Sequence, residues 1–484
     1  MKAELFRSTA QLPFDHPREE CGVVAVYTPG EDASRLAFFG LFALQHRGQE
    51  SAGIATSDGE NINIHSQMGL VTQIFREQDF YPLSGDMAIG HTRYSTTGSS
   101  LLCNAQPILV EGYNGKLAFG HNGNIINTLQ LKRQLKEQWN CSFNSTTDSE
   151  IIAYLLANAP GKDWHERVFH CMNVLNGAYS FVTLTHDSVI AARDPLGIRP
   201  LCLGKMDNGW IVASESCAVE HIGAEFVREI DPGEVIVINK EGLQSLHWSG
   251  GNGHKAMCVF ELIYFARPDS VMEGNLVYSS RQRMGAQLAK EHPVDADLVI
   301  GIPDSSTAAA VGYARQSGIP YSDGLIKNRY VGRTFIEPEQ KLRDIGVRQK
   351  FNPLSDVIKG KSLVVVDDSI VRGTTTPHVV GLLRKAGATE IHVRVCAPPI
   401  KHPCYMGVDM ANQDELVAAN TDIEGIRRMT GADSLGYLSV EGLMKVVGGE
   451  SGGFCDDCFT GNYPVPVQLQ LTKLSLEDAQ LSTD

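Results

Sequence analysis

The run Leu363-Val364-Val365-Val366-Asp367-Asp368-Ser369-Ile370-Val371-Arg372-Gly373-Thr374-Thr375-Thr376 constrains the fold more than any other stretch of the chain. Four apolar residues that stop at two carboxylates predict a central parallel strand, buried on both faces. Pro377 to Lys385, closed by Gly387, predicts the helix that follows. The loop between them then lies at a strand's carboxyl end and a helix's amino end. Unpaired backbone N–H groups and a partial positive charge favour anions there. Ser369, Thr374, Thr375 and Thr376 add hydroxyl donors, and Gly373 lets the backbone approach a phosphate closely. Asp367 and Asp368 suit the cis-diol of a sugar or a hydrated Mg²⁺.

A second unit of the same kind comes earlier: Leu298 to Ile302 reads as a strand and Ser305 to Gln316 as an Ala-rich helix. From about Leu298 onward the pattern predicts a doubly wound parallel sheet. Upstream, Ala178 to Leu184, Ser188 to Ala192 and Glu234 to Ile238 read as short strands separated by turns, and the Gly- and Ser-containing stretch Trp248 to His254 marks a boundary. A chain of 484 residues is expected to hold two or three domains. Its formal charge of −14 excludes broad electrostatic binding to nucleic acid or anionic membranes, which leaves small molecules as partners. No apolar run approaches the roughly 18 residues that span a bilayer. The first twenty residues lack the apolar core of a secretory signal, so a cytoplasmic chain is expected. Its eleven cysteines are then thiols, catalytic groups or metal ligands rather than disulfides.

Cys21 opens a strand, Gly22 to Tyr27. A cysteine at such a place is commonly core, but four further motifs follow in order: Leu44 to Gly53 (with His46, Arg47 and Gly48), Gly90 to Thr96, Gly120 to Asn124, and Thr147 to Glu150. Together they resemble the glutamine amidotransferase domain of the N-terminal nucleophile class, whose fold is an antiparallel αββα sandwich. The resemblance implies that Cys21 attacks the glutamine amide while the Asn122 side chain and the Gly123 N–H form the oxyanion hole. It also implies that Arg93 clamps the α-carboxylate and Asp148 the α-ammonium. A free cysteine has a pKa of about 8.5 and needs a base. The α-amine of Cys21 would be that base if residues 1–20 were a removable propeptide.

The run at Asp367 closely resembles the phosphoribosyl pyrophosphate (PRPP) loop of type I phosphoribosyltransferases. Between the two strand–helix units lies a basic segment containing Lys327, Arg329 and Arg333, in the place of a flexible lid over pyrophosphate. Taken together, nearly the whole chain resembles the amidophosphoribosyltransferases. That implies a glutaminase domain over 21–250, an α/β phosphoribosyltransferase domain over 258–465, and a tail over 466–484. PRPP is expected on Asp367, Asp368, Ser369, Arg372, Gly373, Thr374, Thr375, Lys327, Arg329 and Arg333, with Mg²⁺ on Ser305, Asp367 and Asp368. Ammonia would pass internally to C1 of PRPP to give phosphoribosylamine. Tyr264, Phe265 and Arg267, at the junction, either line that path or simply pack. The resemblance further implies a homotetramer inhibited by purine nucleotides.

Cys455 and Cys458 form a CxxC, with Cys258 and Cys404 distant in sequence. Four thiolates bind Zn²⁺ or a [4Fe–4S] cluster, and spacing does not decide between them. The resemblance favours the cluster, because the family's propeptide-bearing branch carries one. Cys103, Cys141, Cys171, Cys202, Cys217 and Cys396 read as core or incidental thiols. Mass spectrometry of the active protein is expected to find Cys21 as the first residue; Met1 on fully active protein would exclude the α-amine as base.

Overall fold

The computed structural model describes residues 21–94, 99–251, 253–328, 351–410, 412–448 and 453–466. The strand Gly22–Tyr27 lies near the middle of a seven-stranded sheet, pairing antiparallel with Gly209–Ala213 on one side and Met87–Arg93 on the other. Its side chains alternate as a pleated strand requires. Val24 and Val26 pack under the helices Ala33–Ala43 and Ser216–His221, while Val23 and Ala25 face a second sheet. That second sheet has six strands and is built around the antiparallel pair Gly115–Ile125 and Gly177–Leu184. Its far face, with Phe119 and Phe181, is covered by Thr128–Trp139, Asp148–Asn158 and Trp164–Val174. The four layers are the expected αββα sandwich.

In the carboxyl half Leu298–Gly301, Ser362–Asp367, Glu390–Val395 and Ser434–Tyr437 pair in parallel, in that order. On the free side of the first strand Tyr321 makes a parallel bridge to Val299. The spatial order therefore reverses between Leu298–Gly301 and Ser362–Asp367, and ligands of open α/β sheets bind beyond the strand ends at such a switch. Both faces are covered. Val299, Val364 and Val366 point into one core and Leu298, Ile300, Leu363 and Val365 into another, so a run with no polar alternation is what this strand needs.

The helix after Asp368 spans Thr375–Lys385, two residues earlier than expected from Pro377. Pro377 is tolerated in the first turn because an N–H there has no helical partner. The other loop-facing helix spans Thr307–Ser317 rather than starting at Ser305, since Ser305 and Ser306 serve the loop before it. A π-helical turn at Glu261–Phe265 was not anticipated. No helix among the described residues is long and apolar enough to cross a membrane.

The helix Thr307–Ser317 lies in backbone contact with Val277–Glu291. A methyl group on Gly285 would run into the Ala309 carbonyl, and one on Gly312 into that of Gln282. Gly312→Ala is therefore expected to destabilise the protein by about 1–3 kcal/mol, read as a lower unfolding midpoint in a thermal melt.

Candidate active site

Cys21 sits at the entrance to its strand with its thiol buried, donating to the Tyr94 carbonyl at 3.3 Å. Burial pushes the thiol up to about 11; the Tyr94 contact and Arg93 oppose the rise, while Glu50 and Asp148 add to it. At neutral pH this sulfur is a thiol, and only a proton acceptor at its side can make it a nucleophile. The same influences place Arg93 and Asp148 beside Cys21. Arg93 ends the strand Met87–Arg93, buried, with Nη1 3.6 Å from Glu50 and 3.3 Å from the Ser99 carbonyl. Asp148 begins the helix Asp148–Asn158 and accepts the Ile125 N–H at 3.0 Å. One cation, Arg93, and two anions, Glu50 and Asp148, thus lie near the thiol.

Asn122 and Gly123 lie on the strand Gly115–Ile125, which stacks on the sheet of Cys21. Nδ2 of Asn122 is buried and has no hydrogen-bond partner. A buried amide donor without an acceptor is costly, on the order of 1–3 kcal/mol, unless a ligand supplies one. Gly123 has φ of +143° and a methyl there would strike the Ala178 carbonyl, so glycine is required. Behind the site His91 is held neutral, its pKa driven down to about 3 chiefly by burial, with Nε2 at 2.9 Å from the His121 carbonyl.

The second site lies at the switch of the parallel sheet. Asp367 and Asp368 are both buried. Ser305 Oγ donates to Asp368 at 2.5 Å, Ser369 Oγ to its other oxygen at 2.7 Å, and Ser306 Oγ lies 3.5 Å from Asp367. The hydroxyl expected on Mg²⁺ therefore ties the earlier loop to the later one. Gly373 takes φ of +68°, and Thr374 precedes the helix Thr375–Lys385. Arg372 is held by Glu415 at 2.7 Å, and Lys327 by Asp304 at 3.0 Å. Arg329 and Arg333, with the rest of the expected lid, lie outside the described residues, as do residues 1–20.

The junction contains a group of which the motifs point only to Arg47, in the run Leu44 to Gly53. Arg47 donates from Nε to the Cys21 carbonyl (3.1 Å), from Nη1 to Glu215 (2.6 Å) and Glu261 (3.0 Å), and from Nη2 to Glu261 (2.6 Å). Glu261 also accepts from Arg199 at 2.7 Å, and none of these four side chains is exposed. Burial opposes ionisation of Glu215, but His46 and Arg47 outweigh it and hold the carboxyl far below its usual range. The available signal was a lone acid inside Val259-Phe260-Glu261-Leu262-Ile263. Arg267 turns outward to Asp269 and gives its N–H to Glu215.

Cys258 and Cys455 are register partners in a short parallel pairing; Cys404 is close enough to influence Cys455, and Cys258 and Cys404 are close enough to influence Cys458. All four are buried, and burial pushes Cys404 up to about 12. Among the described residues no three of these sulfurs lie within 4.8 Å of one another.

Comparison with known proteins agrees with both halves. Residues 91–221 match the family model of the glutamine amidotransferase domain, and residues 281–423 that of the phosphoribosyl transferase domain. The class is thus a glutamine amidotransferase joined to a phosphoribosyltransferase. The amidophosphoribosyltransferase of Synechococcus elongatus is 49% identical over 471 residues, covering 96% of this chain and 95% of its own. That of Bacillus subtilis is 45% identical, covering 96% and 98%. The solved structure of the B. subtilis glutamine PRPP amidotransferase, complexed with ADP and GMP, superposes with a TM-score of 0.88 at 45% identity, covering 93% of this chain and 99% of its own. The chain belongs to the amidophosphoribosyltransferase family.

Because burial raises the Cys21 pKa, its thiolate is lost as pH falls below about 11. In protein that retains residues 1–20, alkylation of Cys21 by iodoacetamide is expected to stay slow at pH 7 and climb toward pH 11. An inflection near pH 8 in that form would refute the account.

Proposed function

We propose that Cys21 releases ammonia from glutamine in the amino-terminal half and that the loop Asp367 to Thr375 presents PRPP to it in the carboxyl half. The enzyme is a glutamine-dependent amidophosphoribosyltransferase of purine biosynthesis: glutamine, PRPP and water give 5-phosphoribosylamine, pyrophosphate and glutamate. The observation that carries the residue assignment is the unpartnered Nδ2 of Asn122, buried in the layer facing Cys21, with Arg93 and Asp148 flanking the thiol.

Glutamine binds with its α-carboxylate on Arg93 and its α-ammonium on Asp148, which sets the side-chain amide against the sulfur. The α-amine of Cys21, freed by removal of residues 1–20, takes the thiol proton as sulfur attacks the amide carbon. Asn122 Nδ2 and the Gly123 N–H then take the developing oxyanion. Ammonia leaves, and water releases glutamate from the thioester.

At the second site the Gly373 loop and the amino end of Thr375–Lys385 take the 5-phosphate, with Ser369, Thr374 and Thr375 as donors. Lys327, Arg329, Arg333 and Arg372 balance the phosphate charge. Asp367 and Asp368 hold the ribose diol, and with Ser305 they offer the hard oxygen donors that suit Mg²⁺, which would neutralise the departing pyrophosphate. Cys258, Cys404, Cys455 and Cys458 would hold a [4Fe–4S] cluster in a structural role. The reading extends to a cytoplasmic homotetramer with purine nucleotides as feedback ligands; the ADP and GMP in the B. subtilis complex support the last point.

Cys21→Ser is expected to abolish glutamine-dependent phosphoribosylamine formation and leave the ammonia-dependent reaction; loss of both in a folded variant overturns the division of labour. Asn122→Ala is expected to lower the glutamine-dependent kcat by about 10²–10³ with little change in KM. Iron and sulfide near four atoms each per chain, with zinc at background, are the expected metal analysis.

A further inference from the structure

We infer that the segment Cys404 to Gly407, which belongs to the carboxyl half, positions the oxyanion strand of the amino-terminal half. The glutaminase site is thus incomplete without a piece of the transferase half. This inference rests on the roles proposed above for Asn122 and Gly123, and it adds four positioning residues to them.

Two contacts reach the strand directly. Asn124 Nδ2 donates to the Tyr405 carbonyl at 2.9 Å, across 281 residues of sequence. Gly407 has φ of +113°, and a methyl group on it would lie 3.2 Å from both the Cα and the carbonyl carbon of Gly123. Gly123 is therefore confined on two sides, by the Ala178 carbonyl of its own sheet and by the backbone at Gly407. Its N–H is the proposed oxyanion donor, and a donor works only if it is already aimed where charge will develop.

A third contact reaches the nucleophile. The Met406 carbonyl accepts from Arg199 Nη1 at 3.4 Å; Arg199 Nη2 donates to Glu261, Glu261 accepts from Arg47, and Arg47 Nε donates to the Cys21 carbonyl. Three consecutive residues thus brace both partners of the reaction: Tyr405 and Gly407 the oxyanion strand, Met406 the residue that carries the thiol. The segment is itself anchored at Cys404, whose sulfur accepts the Met406 N–H at 3.4 Å and whose N–H donates to the Met410 carbonyl at 3.0 Å. None of these groups touches glutamine in the proposed mechanism, so they act through Gly123 and Cys21.

The roles predict a particular kinetic pattern. Arg93 lies on the sheet of Cys21, and Asp148 meets the oxyanion strand only beyond Asn124, at the Ile125 N–H, so displacing the segment is expected to change kcat more than KM. Alkylation of Cys21 by iodoacetamide forms no oxyanion, so it reports the thiol alone.

The test compares Gly407→Ala and Asn124→Leu with the wild-type holoenzyme. The first pushes on Gly123 by a few tenths of an ångström, and the second removes the amide donor at nearly constant volume. Each is expected to lower the glutamine-dependent kcat by about tenfold to a hundredfold, the range for sub-ångström misplacement of a catalytic group. Glutamine KM, ammonia-dependent kcat, iron and sulfide content and the alkylation rate are expected to stay within about twofold of wild type. An unchanged glutamine-dependent kcat in either folded variant overturns the inference, as does a parallel fall of both activities, which would mean general disruption. Asn124→Leu decides the matter if Gly407→Ala does not fold. Wild-type protein without glutaminase activity would instead overturn the proposed function, so the two failures are distinguishable.

Discussion

The carboxylate of Glu261 is the point on which the two halves of the molecule depend. It takes two guanidinium groups, from Arg47 and Arg199, in a place closed to water, while Glu215 takes Arg47 from its other side. Two buried cations thus meet two buried anions. Such a group adds little net stability over a well-packed apolar one, because desolvation offsets most of the attraction. Its geometry is demanding, however: removal of one partner leaves an uncompensated buried charge, at about 3–5 kcal/mol. The cluster therefore fixes one relative arrangement of the sandwich and the parallel sheet. The Cys21 carbonyl is attached to that arrangement through Arg47.

The transferase site follows a different logic. Its two loops come from adjacent parallel strands at the point where sheet order reverses, so topology alone brings Ser305 to Asp368. The polar groups there are satisfied by one another: hydroxyls on carboxylates, Lys327 on Asp304, Arg372 on Glu415. A ligand entering there would exchange for these partners. The glutaminase site is the reverse, with the Asn122 amide left without a partner behind a thiol that burial keeps neutral.

What the amino-acid sequence revealed tracks the range of the interactions concerned. Leu363 to Val366 was readable because burial on both faces of a strand erases polar alternation, and Asp367 and Asp368 only as part of the whole run through Thr376, since two acids alone at a strand end are commonly an ordinary turn. Cys21, Arg93, Asn122 and Asp148 were readable as an ordered set of motifs resembling a known domain, and the fold brings Arg93 and Asp148 beside Cys21. Glu261, Arg199, Tyr405 and Gly407 were not readable. Their partners lie 62 to 284 residues away, and neither a backbone carbonyl nor a close glycine contact leaves a side-chain signature. Ser305 was read as a metal-side hydroxyl, but its bond to Asp368 depends on strand adjacency that no local pattern encodes. The π-helical turn at Glu261 is invisible for a similar reason: its apolar run suits a strand or a buried helix equally.

The connection from Cys21 through Arg47 and Glu261 to Arg199 also has a direction in time. A ribosome makes the chain from its amino end, and domains generally fold in that order. Arg47, Arg199 and Glu215 therefore emerge while Glu261 and the Met406 carbonyl do not yet exist, and for that interval two guanidiniums have a single carboxylate between them. The sandwich reaches its final charge balance only after residue 261, and the support at Met406 only after another 145 residues. The amino-terminal half is thus synthesised before the last groups that brace it.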